Sequence, residues 1–276
     1  MAENRDFSRE LEVARNLARE AGALTLRYQG GDLDVEMKPG DEPVTAADRA
    51  ASDLIIAGLR EAFPDDILIS EENADDARRL TAQRVWYVDP IDGTKDFIRG
   101  EDGFSIMIGL ALDGEPGLGV VYQPVGDRMY AAAPGAGTWL AVGGEPAARV
   151  SCSAVSEVAD IRLVASKSHR STTMDKVKST LGIDDELNVG SVGLKLGIIA
   201  RGDRDLYVNP SSKCKAWDTC APAALLCEAG GTLTDIHGDP LRYRDPDIAH
   251  RRGLLASNGR VHDAVVEKLA PLFPRP

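Results

Sequence analysis

The groups best placed to do chemistry sit in one short run, Asp89-Pro90-Ile91-Asp92-Gly93-Thr94. The residues before it, Val85-Trp86-Tyr87-Val88, read as a buried strand, which delivers Asp89 to a strand end. Pro90 fixes φ and is expected to force a turn. Asp92 follows three residues after Asp89, so the two carboxylates can converge on one centre. Gly93 lets the backbone approach a ligand closely. Thr94 is placed to open a helix through Phe97 whose unpaired N–H groups suit a phosphate. Two carboxylates and a nearby backbone carbonyl make an oxygen cage for a hard cation such as Mg²⁺. A solvated turn with Asp92 as a plain helix N-cap satisfies the same spacing.

Three further acidic positions carry the same ambiguity. Thr45-Ala46-Ala47-Asp48 fits a capping box, which accounts for Asp48 with no chemistry. Glu71 and Glu72 follow the strand Ile67–Ser70 and fit either a solvated strand end or a ligand set. Asp218, after Trp217, fits a helix N-cap, with Pro222 tolerated in the first turn and Gly230-Gly231 as the stop. Spacing alone leaves both readings open at each position.

The elements that must position these groups follow from periodicity. Leu11, Ala14, Ala18, Ala21 and Leu24 share a helical face, and Gly30-Gly31-Asp32 ends that helix. Met37 to Pro43 reads as a loop. A second helix runs from Thr45 to about Phe63, with Leu54, Ile55, Leu59 and Ala62 inward. Strands are expected over 104–112 and 117–122, joined by a turn at Asp113-Gly114, and then over 129–132 and 137–141. Gly143-Gly144-Glu145-Pro146 marks a boundary between an N-terminal half, residues 1–143, and a C-terminal half, residues 144–276. Beyond it, strands at 162–165, 205–208, 231–234 and 253–256 mix with helices near 172–181, 194–200, 221–228 and 261–272. The early half lacks a strict βαβα alternation, so the fold class is α+β, built in layers.

Composition narrows the function. The chain has 276 residues, 32 Lys and Arg against 44 Asp and Glu, and a net charge of −12. That balance argues against a nucleic-acid polymer or an anionic membrane as partner. A small anionic substrate remains compatible if a cation bridges the two negative partners. The apolar run Ile106 to Leu112 falls far short of the roughly 20 residues that span a bilayer. No apolar segment follows the charges of the first residues, so no secretory signal is visible. The four cysteines, Cys152, Cys214, Cys220 and Cys227, form no CxxC pair and are expected to be reduced thiols of a cytoplasmic protein.

Taken together, Asp48, Ser70-Glu71-Glu72, Asp89-Pro-Ile-Asp-Gly-Thr94 and Trp217-Asp218 resemble, in order and spacing, the motif set of the inositol monophosphatase-like, lithium-sensitive, magnesium-dependent phosphatases. The resemblance covers nearly the whole chain. Val88 to Phe97, Lys215 to Pro222, Glu228 to Gly231 and Leu233 to Gly238 look like the 3′(2′),5′-bisphosphate nucleotidase (CysQ) branch. The resemblance implies an αβαβα sandwich of the inositol monophosphatase and fructose-1,6-bisphosphatase type, with the active site between the halves.

It also implies roles. Glu71, Asp89 and the Ile91 carbonyl would hold one Mg²⁺, and Asp89, Asp92 and Asp218 a second, which together can clamp an in-line displacement. Asp48 would bind a third, weaker ion or position the attacking water. Thr94 would assist that water, or hold the phosphate with Gly93. Ser166, His169, Ser191, Lys195 and Asp218 would contact the substrate. Ser191 stands at the family's first Gly position and adds a side chain beside the adenosine site. Lys195 would pair with a 5′-phosphate, although a solvated charge fits it equally. Lys167 and Arg170 are cationic candidates with the surface as default, and His237, His250 and His262 are left as surface residues. The implied reaction removes the 3′-phosphate of adenosine 3′,5′-bisphosphate, or acts on its sulfated precursor, in sulfur assimilation, with inhibition by Li⁺. The alternative is an inositol phosphatase with the same metal machinery. Either enzyme would act as a monomer or homodimer.

Overall fold

Apolar residues at helical spacing bury one face of α1 (Ser8–Tyr28) against one face of α2 (Ala46–Ala62). The computed structural model describes residues 6–29, 35–38, 42–167 and 172–275. Between the two helices, β1 (Glu36–Lys38) and β2 (Glu42–Val44) form a small antiparallel pair where a loop was expected. The order then runs β3 (Ile67–Ser70), β4 (Arg84–Asp92), α3 (Thr94–Ile98), β5 (Ser105–Leu112), β6 (Glu115–Gln123), β7 (Arg128–Ala133), β8 (Gly137–Val142) and β9 (Ala148–Val150). The remaining elements are β10 (Leu163–Ser166), α4 (Thr172–Leu181), β11 (Glu186–Val189), α5 (Val192–Ala200), β12 (Leu206–Asn209), α6 (Ala216–Glu228), β13 (Thr232–Thr234), β14 (Leu254–Ser257) and α7 (His262–Leu269).

Strands β3 to β9 form a seven-stranded sheet in sequence order, with β3 parallel to β4 and every other pair antiparallel. Its last strand, β9, comes from beyond residue 143. The second sheet has five strands in the order β11-β10-β12-β14-β13, with β10 parallel to both its neighbours. One core fills the space between the first sheet and α1 and α2, and another lies between the second sheet and α4 and α7. Helices α5 and α6 pack between the two sheets. The result is the expected αβαβα layering.

Two directly paired glycines, Gly109 on β5 and Gly119 on β6, seat α6. A Cβ at Gly119 would come within 2.1 Å of the Ala221 carbonyl oxygen, and one at Gly109 within 2.5 Å of the Ala221 nitrogen. Only glycine lets the helix backbone lie that close to the sheet.

Candidate active site

Strand β4 does not turn at Pro90. It continues to Asp92, with a shift of register against β5 between Asp89 and Asp92. The missing proline N–H costs a ladder bond and the strand bulges there. Both carboxylates therefore stay at the buried end of the sheet. Asp89 is held locally, its Oδ1 accepting the Ile91 N–H at 3.1 Å. Gly93 follows with φ +99°, where a Cβ would press to 2.7 Å on the Gly103 carbonyl oxygen, so the sharp entry to α3 requires glycine. In α3 the Asp96 and Phe97 N–H groups bond back to Gly93, so they are not open to a phosphate.

Helices α2 and α6 present their acids by one device. Asp48 sits three residues beyond the N-cap Thr45, and its Oδ2 accepts the Thr45 N–H at 2.8 Å. Asp218 sits three beyond Lys215, and its Oδ2 accepts the Lys215 N–H at 2.7 Å. Asp218 is thus one turn inside a helix that starts at Ala216, not the N-cap expected from sequence. The capping reading and the chemical reading of these acids are compatible, because capping uses one oxygen and leaves the other.

A cleft of about 220 Å³ lies where these ends meet. Glu71, Asp89, Ile91, Asp92, Gly93, Thr94, Ser166, Lys195 and Asp218 line it. Asp48 is buried behind it, its Oδ1 3.3 Å from Thr94 Oγ1, which is also 3.0 Å from the Ile91 carbonyl oxygen. Ser191 is fully buried and does not line the cleft, which corrects its expected contact with substrate. His169 and Arg170 lie outside the described residues.

Lys195 also departs from expectation. It is 1% exposed, and its ammonium donates to the Gly190 and Val189 carbonyls at 2.6 and 3.2 Å, over the Tyr207 ring. Burial lowers its pKa to about 8, against the raising pull of Asp92 and other acidic groups. It is neither a solvated charge nor an ammonium pointing freely at a ligand. Lys167 leaves the surface role too, bridging Asp96 at 3.2 Å and Glu101 at 2.9 Å. His250 and His262 are buried rather than superficial. His250 bonds Thr219, next to Asp218, at 2.8 Å, and burial pulls its pKa down to about 4. His262 lies between the Ser257 and Thr234 hydroxyls.

Sequence reasoning gave no role in the site to a second group of lining residues: Tyr207, Asn209, Lys213, Cys214 and, from within the quoted motifs, Lys95, Asp96 and Lys215. Lys95 and Lys213 are exposed at the mouth, and Lys215 lies over the Trp217 ring at 5.1 Å. The three lysines flank the two acidic motifs in sequence, which is the signal that could have found them.

The electrostatics of the floor decide what it can hold. Burial, followed by the carboxylates of Glu71, Asp92, Asp218 and Asp48, pushes Asp89 well above the usual carboxylate range. Loss of solvent, then Glu71 and Asp92, does the same to Asp218. Burial also raises Asp92, against Lys195 and the donors Ser191, Gly193 and Val192. Among the described residues no three His, Cys, Asp or Glu side chains form a closed cage as they stand. The donor set nevertheless fits a hard divalent cation. It is all oxygen, Asp89 and Asp92 are buried, and mutual repulsion among its acids favours a cation between them.

The family model for the inositol monophosphatase family matches residues 6–272. The chain belongs to the inositol monophosphatase family. Within this family, it is 36% identical over 241 residues to the 3′(2′),5′-bisphosphate nucleotidase CysQ of Shigella flexneri, covering 84% of this chain and 93% of that one. It is 33% identical over 264 residues to the histidinol-phosphatase of Mycobacterium tuberculosis, covering 94% and 97%. An IMPase structure from Thermotoga maritima superposes with a TM-score of 0.81 at 27% identity, covering 95% of this chain and 97% of that one. Like its family, the chain is a metal-dependent phosphatase. Among the described residues no helix is long and apolar enough to cross a membrane.

Proposed function

We propose that this chain is a Mg²⁺-dependent phosphatase that removes the 3′-phosphate of adenosine 3′,5′-bisphosphate, and acts also on the sulfated precursor of that nucleotide, in sulfur assimilation. One observation carries this reading: a single cleft joins an acidic floor, Glu71, Asp89, Asp92 and Asp218, to a mouth bearing Lys95, Lys213 and Lys215. The floor suits cations, and the lysines suit a substrate with charge beyond the phosphate being cut. The 36% identical nucleotidase supports the choice of nucleotide.

In this reading Glu71, Asp89, the Ile91 carbonyl, Asp92 and Asp218 would hold two Mg²⁺ ions, and Asp48 would serve a third. Bound Mg²⁺ supplies Lewis-acid activation of water and charge neutralisation at the phosphate. Thr94 Oγ1, between Asp48 and Ile91, orients the attacking water, and the Gly93 N–H holds a phosphate oxygen. Ser166 and His169 border the nucleoside. Residues 1–143 contribute most cation ligands, and residues 144–276 contribute Asp218 and the substrate contacts. Li⁺ would inhibit by competing for a Mg²⁺ position, and unchanged rates in millimolar Li⁺ would refute that. The four unpaired cysteines suit a reducing cytoplasm.

Lys195 favours a second reading. Its ammonium already serves two carbonyls, which suits a substrate with a single phosphate, such as an inositol or histidinol phosphate. Phosphate release with Mg²⁺ separates the two. Adenosine 3′,5′-bisphosphate, inositol 1-phosphate and histidinol phosphate are compared at matched concentration. Preference for the nucleotide supports the first reading, and preference for either monophosphate establishes the second.

A further inference from the structure

The substrate-side helix α5 begins on a cation ligand of the opposite half. Ser191, its N-cap, lies 2.5 Å through Oγ from Asp92 Oδ2, across 99 residues of sequence. The Gly193 N–H donates to the same Oδ2 at 2.8 Å. Ser191 Oγ also accepts the Leu194 N–H at 3.0 Å and stands 2.9 Å from Ser105 Oγ on β5.

The hydrogen count fixes who gives what. A serine hydroxyl has one proton and two lone pairs. An ionised aspartate only accepts, so the Ser191 proton goes to Asp92 Oδ2. The lone pairs take the Leu194 N–H and the Ser105 hydroxyl proton. Every valence of the Ser191 hydroxyl is used, in a site with no solvent. The Ser191 and Gly193 donors share one oxygen of Asp92, Oδ2.

We propose that Ser191 is a positioning residue for Asp92: its hydroxyl fixes the rotation of that carboxylate, and so sets the affinity of the chain for Mg²⁺. The proposal rests on the reading of Asp92 as a cation ligand. Capping alone does not explain the arrangement. A cap needs only an acceptor for the Leu194 N–H, and glycine at an N-cap costs a few tenths of a kcal/mol. The donation to Asp92 is additional, and partners that orient metal ligands typically matter 10- to 100-fold in metal affinity.

The test uses the full chain, stripped of metal, with Mg²⁺ titrated calorimetrically and kcat and KM measured separately at saturating Mg²⁺. Ser191→Gly removes the hydroxyl and its bond from the Leu194 N–H, a capping loss that glycine holds to a few tenths of a kcal/mol. It is expected to weaken Mg²⁺ binding about tenfold, with KM for the phosphate ester within about twofold of the parent. Ser191→Thr, which restores the hydroxyl, is expected to bind Mg²⁺ as the parent does. Ser105→Ala leaves the cap and the donor in place but frees Ser191 Oγ, and is expected to weaken binding by about two- to threefold. It keeps the question open to measurement if Ser191→Gly fails to fold, and parental affinity in Ser105→Ala would then overturn the proposal. Parental Mg²⁺ affinity in a folded Ser191→Gly protein overturns it as well. So does unchanged affinity with a raised KM, which would return Ser191 to the substrate. If the parent itself binds no Mg²⁺, the reading of Asp92 fails first and this inference with it.

Discussion

The floor of the cleft and its mouth are built by opposite means. On the floor, Asp89, Asp92 and Asp218 each have one oxygen fixed by a backbone N–H, from Ile91, Gly193 and Lys215 respectively. At the mouth, Lys95 and Lys213 stand exposed on flexible four-carbon stems. Cation coordination tolerates errors of a few tenths of an ångström, so its ligands need the rigidity of the main chain. Attraction of a phosphate by an ammonium through water is far more forgiving. The chemistry is placed with precision, and the recognition with reach.

Mutation should separate the two regions by the size and kind of loss. Asp92→Asn is expected to lower kcat about a thousandfold, about 4 kcal/mol, with little change in thermal stability. A variant retaining full activity would remove Asp92 from the metal site.

The next largest effect lies behind the floor. His250 has a folded pKa of about 4, below its ordinary 6.5, because burial disfavours the charged ring. As pH falls through 6.5, the unfolded chain takes up the proton first, so the native state loses stability between pH 6.5 and about 4 and is level above that window. Over the window this amounts to about 3 kcal/mol. Urea unfolding at pH 7 and pH 4.5 should show that His250→Gln loses less stability on acidification than the parent does. Equal slopes would mean that the ring carries no proton linkage.

At the mouth, Lys95→Ala and Lys213→Ala should each raise KM for a bisphosphate about three- to tenfold and leave kcat within twofold. The same variants should barely alter KM for a monophosphate, and added salt should shrink the difference. A fall in kcat with constant KM would move these lysines from recognition to chemistry. The smallest effect expected is on the parent protein, where saturating Mg²⁺ should raise Tm modestly by binding only the folded state. A Tm indifferent to Mg²⁺ would count against the cation reading of the floor.

Legibility in sequence followed the same division. Asp89, Asp92, Asp48 and Asp218 were readable because each belongs to a local device, a strand end or a first helical turn, that spans four residues or fewer. The layered α+β class followed from periodicity. Long-range packing was less legible. The burial of Lys195 had a signal, its place in the apolar run Leu194 to Ala200, yet nothing nearby announced the carbonyls that receive its ammonium. His250 and His262 had no signal, since their partners lie 31 and 28 residues away in Thr219 and Thr234. Strand β11 hid behind the charges of Asp184, Asp185 and Glu186, because its pairing with β10 overrides poor local propensity. Pro90 misled for a related reason: the bulge against β5 accommodates a residue that in isolation signals a turn.

The glycine seat under α6 reaches further than packing. The Ala221 backbone rests on Gly109 and Gly119, and Asp218 stands three residues up the same helix. A helix advances 1.5 Å per residue, several times the tolerance of a metal–oxygen bond. Two hydrogen atoms on β5 and β6, in place of methyl groups, therefore act as a gauge block for the carboxylate. A methyl at either position would push the α6 backbone off the sheet and carry Asp218 with it.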